Sequence, residues 1–119
     1  MTDDLFAAVN MAGDMSNLTD LEKKHLPVID APDKVSAGAE FEITIDVGRL
    51  LTHPSEPGHS IQWISLKRGN VTLASVHLTP SVKPIVTFKT TLSETTELRA
   101  VERCNLHGEW ENRKKVLVE

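Results

Sequence analysis

Phe41-Glu42-Ile43-Thr44-Ile45-Asp46-Val47 alternates apolar and polar residues without a break. Successive side chains of an extended chain point to opposite faces. Phe41, Ile43, Ile45 and Val47 therefore share one side, and the stretch predicts a strand with one buried face. Moving outward, His59 to Lys67 reads as a second strand, Arg68-Gly69-Asn70 as a hairpin turn and Val71 to Leu78 as the return strand. Val86, Phe88, Thr90 and Leu92 alternate next, and Leu98 to Arg103 and Lys114 to Val118 complete the series. Several short strands with turns between them predict an all-β sandwich or barrel, and the pattern alone does not choose. The longest interruption is the loop from Gly48 to Gly58, which carries Pro54 and Pro57.

Ahead of the strands lies an extension, residues 1–24, that reads as partly helical. Residues 3–12 predict a short helix capped by Thr2 or Asp3 and ended by Gly13. Thr19-Asp20-Leu21-Glu22 reads as a capping box opening one helical turn. Pro27 and Pro32 then force extended backbone, so residues 25–119 form the predicted β domain. No internal repeat or low-complexity segment interrupts it.

With 119 residues, 39% hydrophobic and 25% charged, the chain suits one domain with one ordinary core. No apolar stretch approaches the roughly 18 residues that span a bilayer, so no membrane partner is expected. The opening Met1-Thr2-Asp3-Asp4 is acidic, unlike a secretory signal. A single cysteine forms no internal disulfide and fits a reducing compartment. Both observations predict a cytoplasmic protein. The net charge is −4 and the pI about 5.7, with no basic stripe, which argues against a nucleic-acid partner.

The chemistry lies in five residues. Cys104 and His107 occur in Cys104-Asn105-Leu106-His107-Gly108. His25 occurs in Lys24-His25-Leu26-Pro27, His53 precedes Pro54, and His59 opens His59-Ser60-Ile61-Gln62-Trp63-Ile64. Each sits where a loop meets a strand, beside Pro, Gly or Cys. Loop ends on a rigid scaffold can converge, and metal sites use such positions. His77 is different: no motif surrounds it, and alternation sets it apart from Val76 and Leu78 as an exposed strand residue. A C-x-x-H spacing alone is common in zinc sites. However, five donors overfill a closed tetrahedral zinc site, and one soft thiolate with four imidazoles suits a redox iron.

Taken together, these motifs resemble the superoxide reductases of the neelaredoxin and desulfoferrodoxin family, from about Glu22 to the C-terminus. With one cysteine, the chain resembles the one-iron class that lacks an N-terminal four-cysteine domain. The resemblance implies a seven-stranded immunoglobulin-like sandwich. It also implies a mononuclear iron with His25, His53, His59 and His107 equatorial and Cys104 axial, opposite a position open to substrate. A thiolate pushes electron density toward iron. Backbone N–H groups of Asn105 and Leu106 are expected to hydrogen-bond the sulfur and temper that donation.

The implied activity is one-electron reduction of superoxide to hydrogen peroxide. A small electron carrier such as rubredoxin would re-reduce the iron, and the protein would be a homo-oligomer, tetramer or dimer. Lys24 matches the family's lysine next to the histidine, and its implied role is to draw in the anion and organise a proton-donating water. Screening limits each distant carboxylate to about 8 Å at physiological salt, so Lys24 beside a net-positive iron outweighs the overall charge locally. Lys23 has an even claim to plain solvation.

One departure stands out. Where relatives read Glu-Lys-His-x-Pro, this chain reads Glu22-Lys23-Lys24-His25-Leu26-Pro27. In the family that glutamate closes the sixth position of the oxidised iron. Glu22 either reaches the iron through a loop one residue longer or completes the capping box with Thr19 and stays away, and the second reading is favoured. Two rival functions remain: an immunoglobulin-like binding or carrier module with an incidental histidine cluster, and a domain with a structural zinc. Both would be colourless and redox-silent.

Overall fold

A computed structural model describes residues 4–119. One short helix, α1 (Asp20–His25), precedes eight strands: β1 (Pro27–Asp30), β2 (Lys34–Val35), β3 (Phe41–Val47), β4 (Ile61–Arg68), β5 (Val71–His77), β6 (Ile85–Thr90), β7 (Thr96–Cys104) and β8 (Gly108–Val118). They form a three-stranded sheet in the order β1-β3-β6 and a five-stranded sheet in the order β2-β8-β7-β4-β5. The two sheets pack face to face as an immunoglobulin-like sandwich. Every long pairing is antiparallel, and only the two-residue β2 runs parallel to β8.

The alternation read from residues 41–47 sets the core. Ile43, Ile45 and Val47 face inward, joined by Ile29 of β1. Against them the larger sheet turns Ile61, Ile64, Leu66, Leu98, Ala100, Cys104 and Val116. Removing these side chains from water is the main stabilising term, about 1.5–3 kcal/mol for each fully buried aliphatic group. The β4–β5 hairpin turns at Gly69-Asn70, with Gly69 at a φ of 59°.

The expected sandwich of about seven strands is what forms: eight strands when the two-residue β2 is counted, with the Pro-rich segment after His25 pairing as β1 and β2. Two expectations need correction. Strand β8 begins at Gly108, six residues before the predicted start at Lys114. No helix forms within the described part of residues 3–12, and the Thr2 and Asp3 caps lie outside the described residues. Residues 5–8 instead turn, and Asn10 bridges in parallel to Trp110. An apolar run beside an exposed edge of β8 found hydrogen-bond partners there, and intrinsic helix propensity yielded to that tertiary contact.

The register brings three connections to one end of the sandwich. Pro27 pairs with Val47, so the residues before β1 meet the loop after β3. Ile61 pairs with Cys104, so the start of β4 meets the β7–β8 turn. All five candidate ligands lie on these connections.

A candidate metal centre

His25 ends α1. Thr19 caps that helix as predicted: its hydroxyl accepts from the Glu22 N–H at 3.1 Å, and the Glu22 carboxylate accepts from the Thr19 N–H at 2.8 Å. The second Glu22 oxygen accepts from the Gly13 N–H at 2.9 Å. Both oxygens are thus occupied by backbone, which pulls the Glu22 pKa down and directs the side chain at the N-terminus of the helix.

His53 and His59 come from the long loop. Gly48 has a φ of 92°, and a Cβ there would press on the His53 backbone nitrogen at 2.8 Å, so only glycine lets the loop close on His53. Glu56-Pro57-Gly58-His59 is a tight turn with paired backbone hydrogen bonds of 3.1 and 3.0 Å between Glu56 and His59. Proline in second place and a left-handed glycine in third, φ 89°, give it type II character.

Cys104 and His107 flank the β7–β8 turn, where Cys104 pairs with Gly108. Asn105 joins this turn to the other loop. Its side chain accepts from the Ser60 N–H and donates to the Gly58 carbonyl, both at 2.9 Å, and its own N–H donates to the Ser60 carbonyl at 3.2 Å. That corrects one expectation: the Asn105 N–H is spent on Ser60, and the N–H groups of Leu106 and His107 are the ones that favour the Cys104 thiolate. Burial outweighs them and pushes the thiol pKa up.

Donor atoms of His25, His53, His59 and Cys104 all lie within 4.8 Å of one another. His107 completes the group, its Nδ1 3.7 Å from the Cys104 Sγ. The four imidazoles form a closed circuit. Ring centroids are 4.7 Å apart for His25–His53, 4.7 Å for His53–His59, 5.2 Å for His59–His107 and 4.9 Å for His107–His25, each ring steeply inclined to the next. His77 is exposed on β5, outside this group.

The hydrogen bonds fix which nitrogens are free. His25 Nδ1–H donates to the Leu21 carbonyl and His53 Nδ1–H to the Pro54 carbonyl, both at 2.7 Å. The Nε2 lone pairs of the two rings then face each other across 3.2 Å. Burial, with smaller contributions from neighbouring charge, lowers both pKa values to about 4, so neither ring carries a second proton at neutral pH. Such a pair repels unless a cation lies between. Among the described residues the buried His59 Nε2 also has no hydrogen-bond partner. At usual bond lengths, donors on one ion stand about 3 Å apart when adjacent and about 4–4.6 Å apart when opposite. The residues therefore fit a single metal ion. Second-sphere carbonyls that orient histidines in this way are the usual companions of metal ligands.

Two contributors escaped the sequence reading. Asn105 is a staple between loops, visible in sequence only as part of the Cys-Asn-x-His-Gly motif. Trp110 stacks on His25 at 5.2 Å and 23°, and its Nε1–H donates to the His107 carbonyl at 3.1 Å. A tryptophan three residues past a candidate ligand is the only signal it gave.

The desulfoferrodoxin family pattern matches residues 17–113. A Methanocaldococcus jannaschii relative is 44% identical over 109 residues, 88% of this chain and 92% of that protein. The neelaredoxin of Megalodesulfovibrio gigas is 30% identical over 113 residues, covering 79% and 87%. Among solved structures, the superoxide reductase (neelaredoxin) of Ignicoccus hospitalis superposes with a TM-score of 0.73 at 41% identity, covering 80% of this chain and 81% of that one. Sandwich, ligand cluster and sequence agree on one class, the small non-haem metalloproteins built on this fold. The chain belongs to the desulfoferrodoxin family.

Proposed function

We propose that this protein is a superoxide reductase. It reduces superoxide by one electron, taking up two protons to give hydrogen peroxide, at a mononuclear iron held by His25, His53, His59, His107 and Cys104. The observation that carries this reading is the set of uncompensated donors around one point, in a chain of this family. Bound iron supplies the one-electron couple and a Lewis-acidic position for an anion. The chain's residues do the rest. Leu21 and Pro54 carbonyls hold the His25 and His53 tautomers. The Leu106 and His107 N–H groups steady the thiolate. Burial and then the neighbouring imidazoles lower the His53 and His107 pKa values, and the charge of Lys24, one residue before His25, adds to this, which supports a place for it on the anion's approach.

The division into an extension of residues 1–24 and an iron-binding sandwich of residues 25–119 belongs to this reading, supported by the start of β1 at Pro27. A small electron carrier such as rubredoxin restores the ferrous state. Val71 and Leu73, exposed on the edge strand β5, support a homo-oligomer, dimer or tetramer. Among the described residues no helix is long and apolar enough to cross a membrane, and the free buried Cys104 supports a reducing cytoplasmic compartment.

Metal analysis with the visible spectrum of the oxidised protein tests the proposal. One iron per chain and a thiolate-to-ferric charge-transfer band are expected. Superoxide should disappear with formation of peroxide and without dioxygen. A colourless zinc protein would overturn the reading.

A further inference from the structure

The β7–β8 turn carries two of the proposed ligands, yet strand pairing supports it on one side only. Strand β7 pairs with β8 along one edge from Gly108 to Val116, whereas on the other edge β2 reaches β8 only at Leu117 and Val118. The other edge of residues 109–111 is covered by the N-terminal segment. The Asn10 N–H donates to the Glu109 carbonyl and the Glu111 N–H to the Asn10 carbonyl, both at 2.8 Å. The Asn10 side-chain amide then donates to Glu109 O and Leu5 O, both at 2.9 Å. The chain thereby curls back and lays Leu5 on the turn. The Leu5 carbonyl sits so close to Gly108 that a Cβ there would overlap it. The Phe6 ring packs under the Arg103 guanidinium, 5.5 Å away, beside Cys104. Trp110, the residue bridged by Asn10, is the one that stacks on His25 and holds the His107 carbonyl.

We infer that Leu5–Asn10 is a strap that positions the Cys104–Gly108 ligand turn, with Asn10 as its anchoring residue. The physical need is plain. A terminal hairpin with one free edge frays at low cost, and a metal site tolerates little play in its ligands. One asparagine satisfies both backbone groups of that edge and fixes the strap's own fold. The strap lies outside residues 17–113, the part that matches the family pattern, so this support is additional to what the family pattern describes. The inference rests on the proposed function in taking Cys104 and His107 as ligands.

Asn10→Ala removes the two side-chain donors, and a chain starting at Met11 removes the strap outright. Iron release to a chelator and amide exchange are measured on the full-length iron protein, both variants and Met15→Ala, an exposed control. Both variants are expected to release iron about tenfold faster, the scale for losing support behind a ligand. The amides of residues 105–108 should exchange faster, with a shifted charge-transfer band and little loss in melting temperature. Met15→Ala should match the parent. Parent-like iron release and parent-like exchange at residues 105–108 in the shortened chain would overturn the strap. If the parent protein holds no iron, the proposed function falls, and the exchange measurement still decides whether the strap orders the turn.

Discussion

Glu102 and Glu111 stand on adjacent paired strands and are both buried, yet the molecule treats them in opposite ways. Glu111 faces outward from the large sheet and is 3% exposed. Its carboxylate accepts from Arg99 Nε and Nη2 at 3.1 and 2.6 Å and from Arg113 Nε at 2.7 Å. Burial alone would raise its pKa, and the two guanidinium groups more than reverse that. Glu102 faces inward near Cys104 and is fully buried. Neither of its oxygens has a hydrogen-bond partner, and burial, reinforced by Glu109, pushes its pKa well up against a weak opposing influence of the Cys104 N–H. The contrast extends to the surroundings. Around Glu111 every charge is answered by another. Glu102 lies two residues before Cys104, whose cluster holds the facing lone pairs of His25 and His53 and the unpartnered His59 nitrogen. Buried polar groups are nearly always satisfied in native proteins, and exceptions collected at one end of a sandwich mark the place where something else binds.

The largest expected effects follow at that end. Cys104→Ser should abolish the coloured ferric centre and the activity, because a hydroxyl is a harder, weaker ligand than a thiolate. Single Ala replacements of His25, His53, His59 or His107 should each lower iron occupancy, whereas His77→Ala should not. Iron quantification with visible spectra checks the series. Full loading in a His25→Ala protein, or loss in His77→Ala, would break the contrast between the two histidine classes.

Glu111 is the next test. Glu111→Gln leaves two partly exposed guanidinium groups with a neutral partner and is expected to cost about 2 kcal/mol, the scale of hydrogen bonds to a charged group. The sign of the pH dependence is fixed by linkage. The folded pKa lies below the unfolded one, so the folded state binds fewer protons and stability rises with pH. The contribution is fully present above the ordinary carboxylate range near 4.5 and is lost as pH falls through the lower folded value. Denaturant unfolding between pH 3 and 7 should show a smaller acid loss in Glu111→Gln than in the parent. Equal losses would mean that another carboxylate dominates.

How far the sequence carries depends on whether a signal is local. The alternation at residues 41–47 and the Gly69-Asn70 turn are local, and both appear in the fold where they were read. The five clustered residues are local too, each marked by a neighbouring Pro, Gly or Cys. What escaped was relational. Strands β1 and β2 are too short for a period. The apolar run of residues 5–9 has a helical composition, but a free edge on β8, distant in sequence, decides its shape. Asn105 works through Gly58 and Ser60, partners that only the folded chain supplies.

Lys24 should have a moderate effect. A unit charge about 4 Å from an anion is worth about 1 kcal/mol in water, or roughly fivefold in encounter rate. Lys24→Ala should therefore slow the reaction with pulse-generated superoxide by about that factor at low salt. The difference should shrink as ionic strength rises. A salt-independent rate equal to the parent's would remove Lys24 from the approach path.

The smallest expected effect is at Glu22, and it asks whether a carboxylate from the satisfied part of the molecule takes part in the unsatisfied part. Its two oxygens accept from Thr19 and Gly13, which ties the segment before α1 to the first turn of that helix. Reaching the metal would break both hydrogen bonds and open the capping box. Glu22→Ala should therefore act as the loss of a helix cap, about 1 kcal/mol, visible as a small fall in melting temperature. The spectrum of the oxidised protein and the rate of peroxide formation should stay as in the parent. Without a carboxylate in the sixth position, that spectrum should change with pH through ionisation of a bound water, equally in parent and variant. A large spectral change in Glu22→Ala, with the parent's pH dependence absent, would show that this glutamate leaves its cap to close the centre. The separation between satisfied carboxylates and the unsatisfied end of the sandwich would then fail at Glu22.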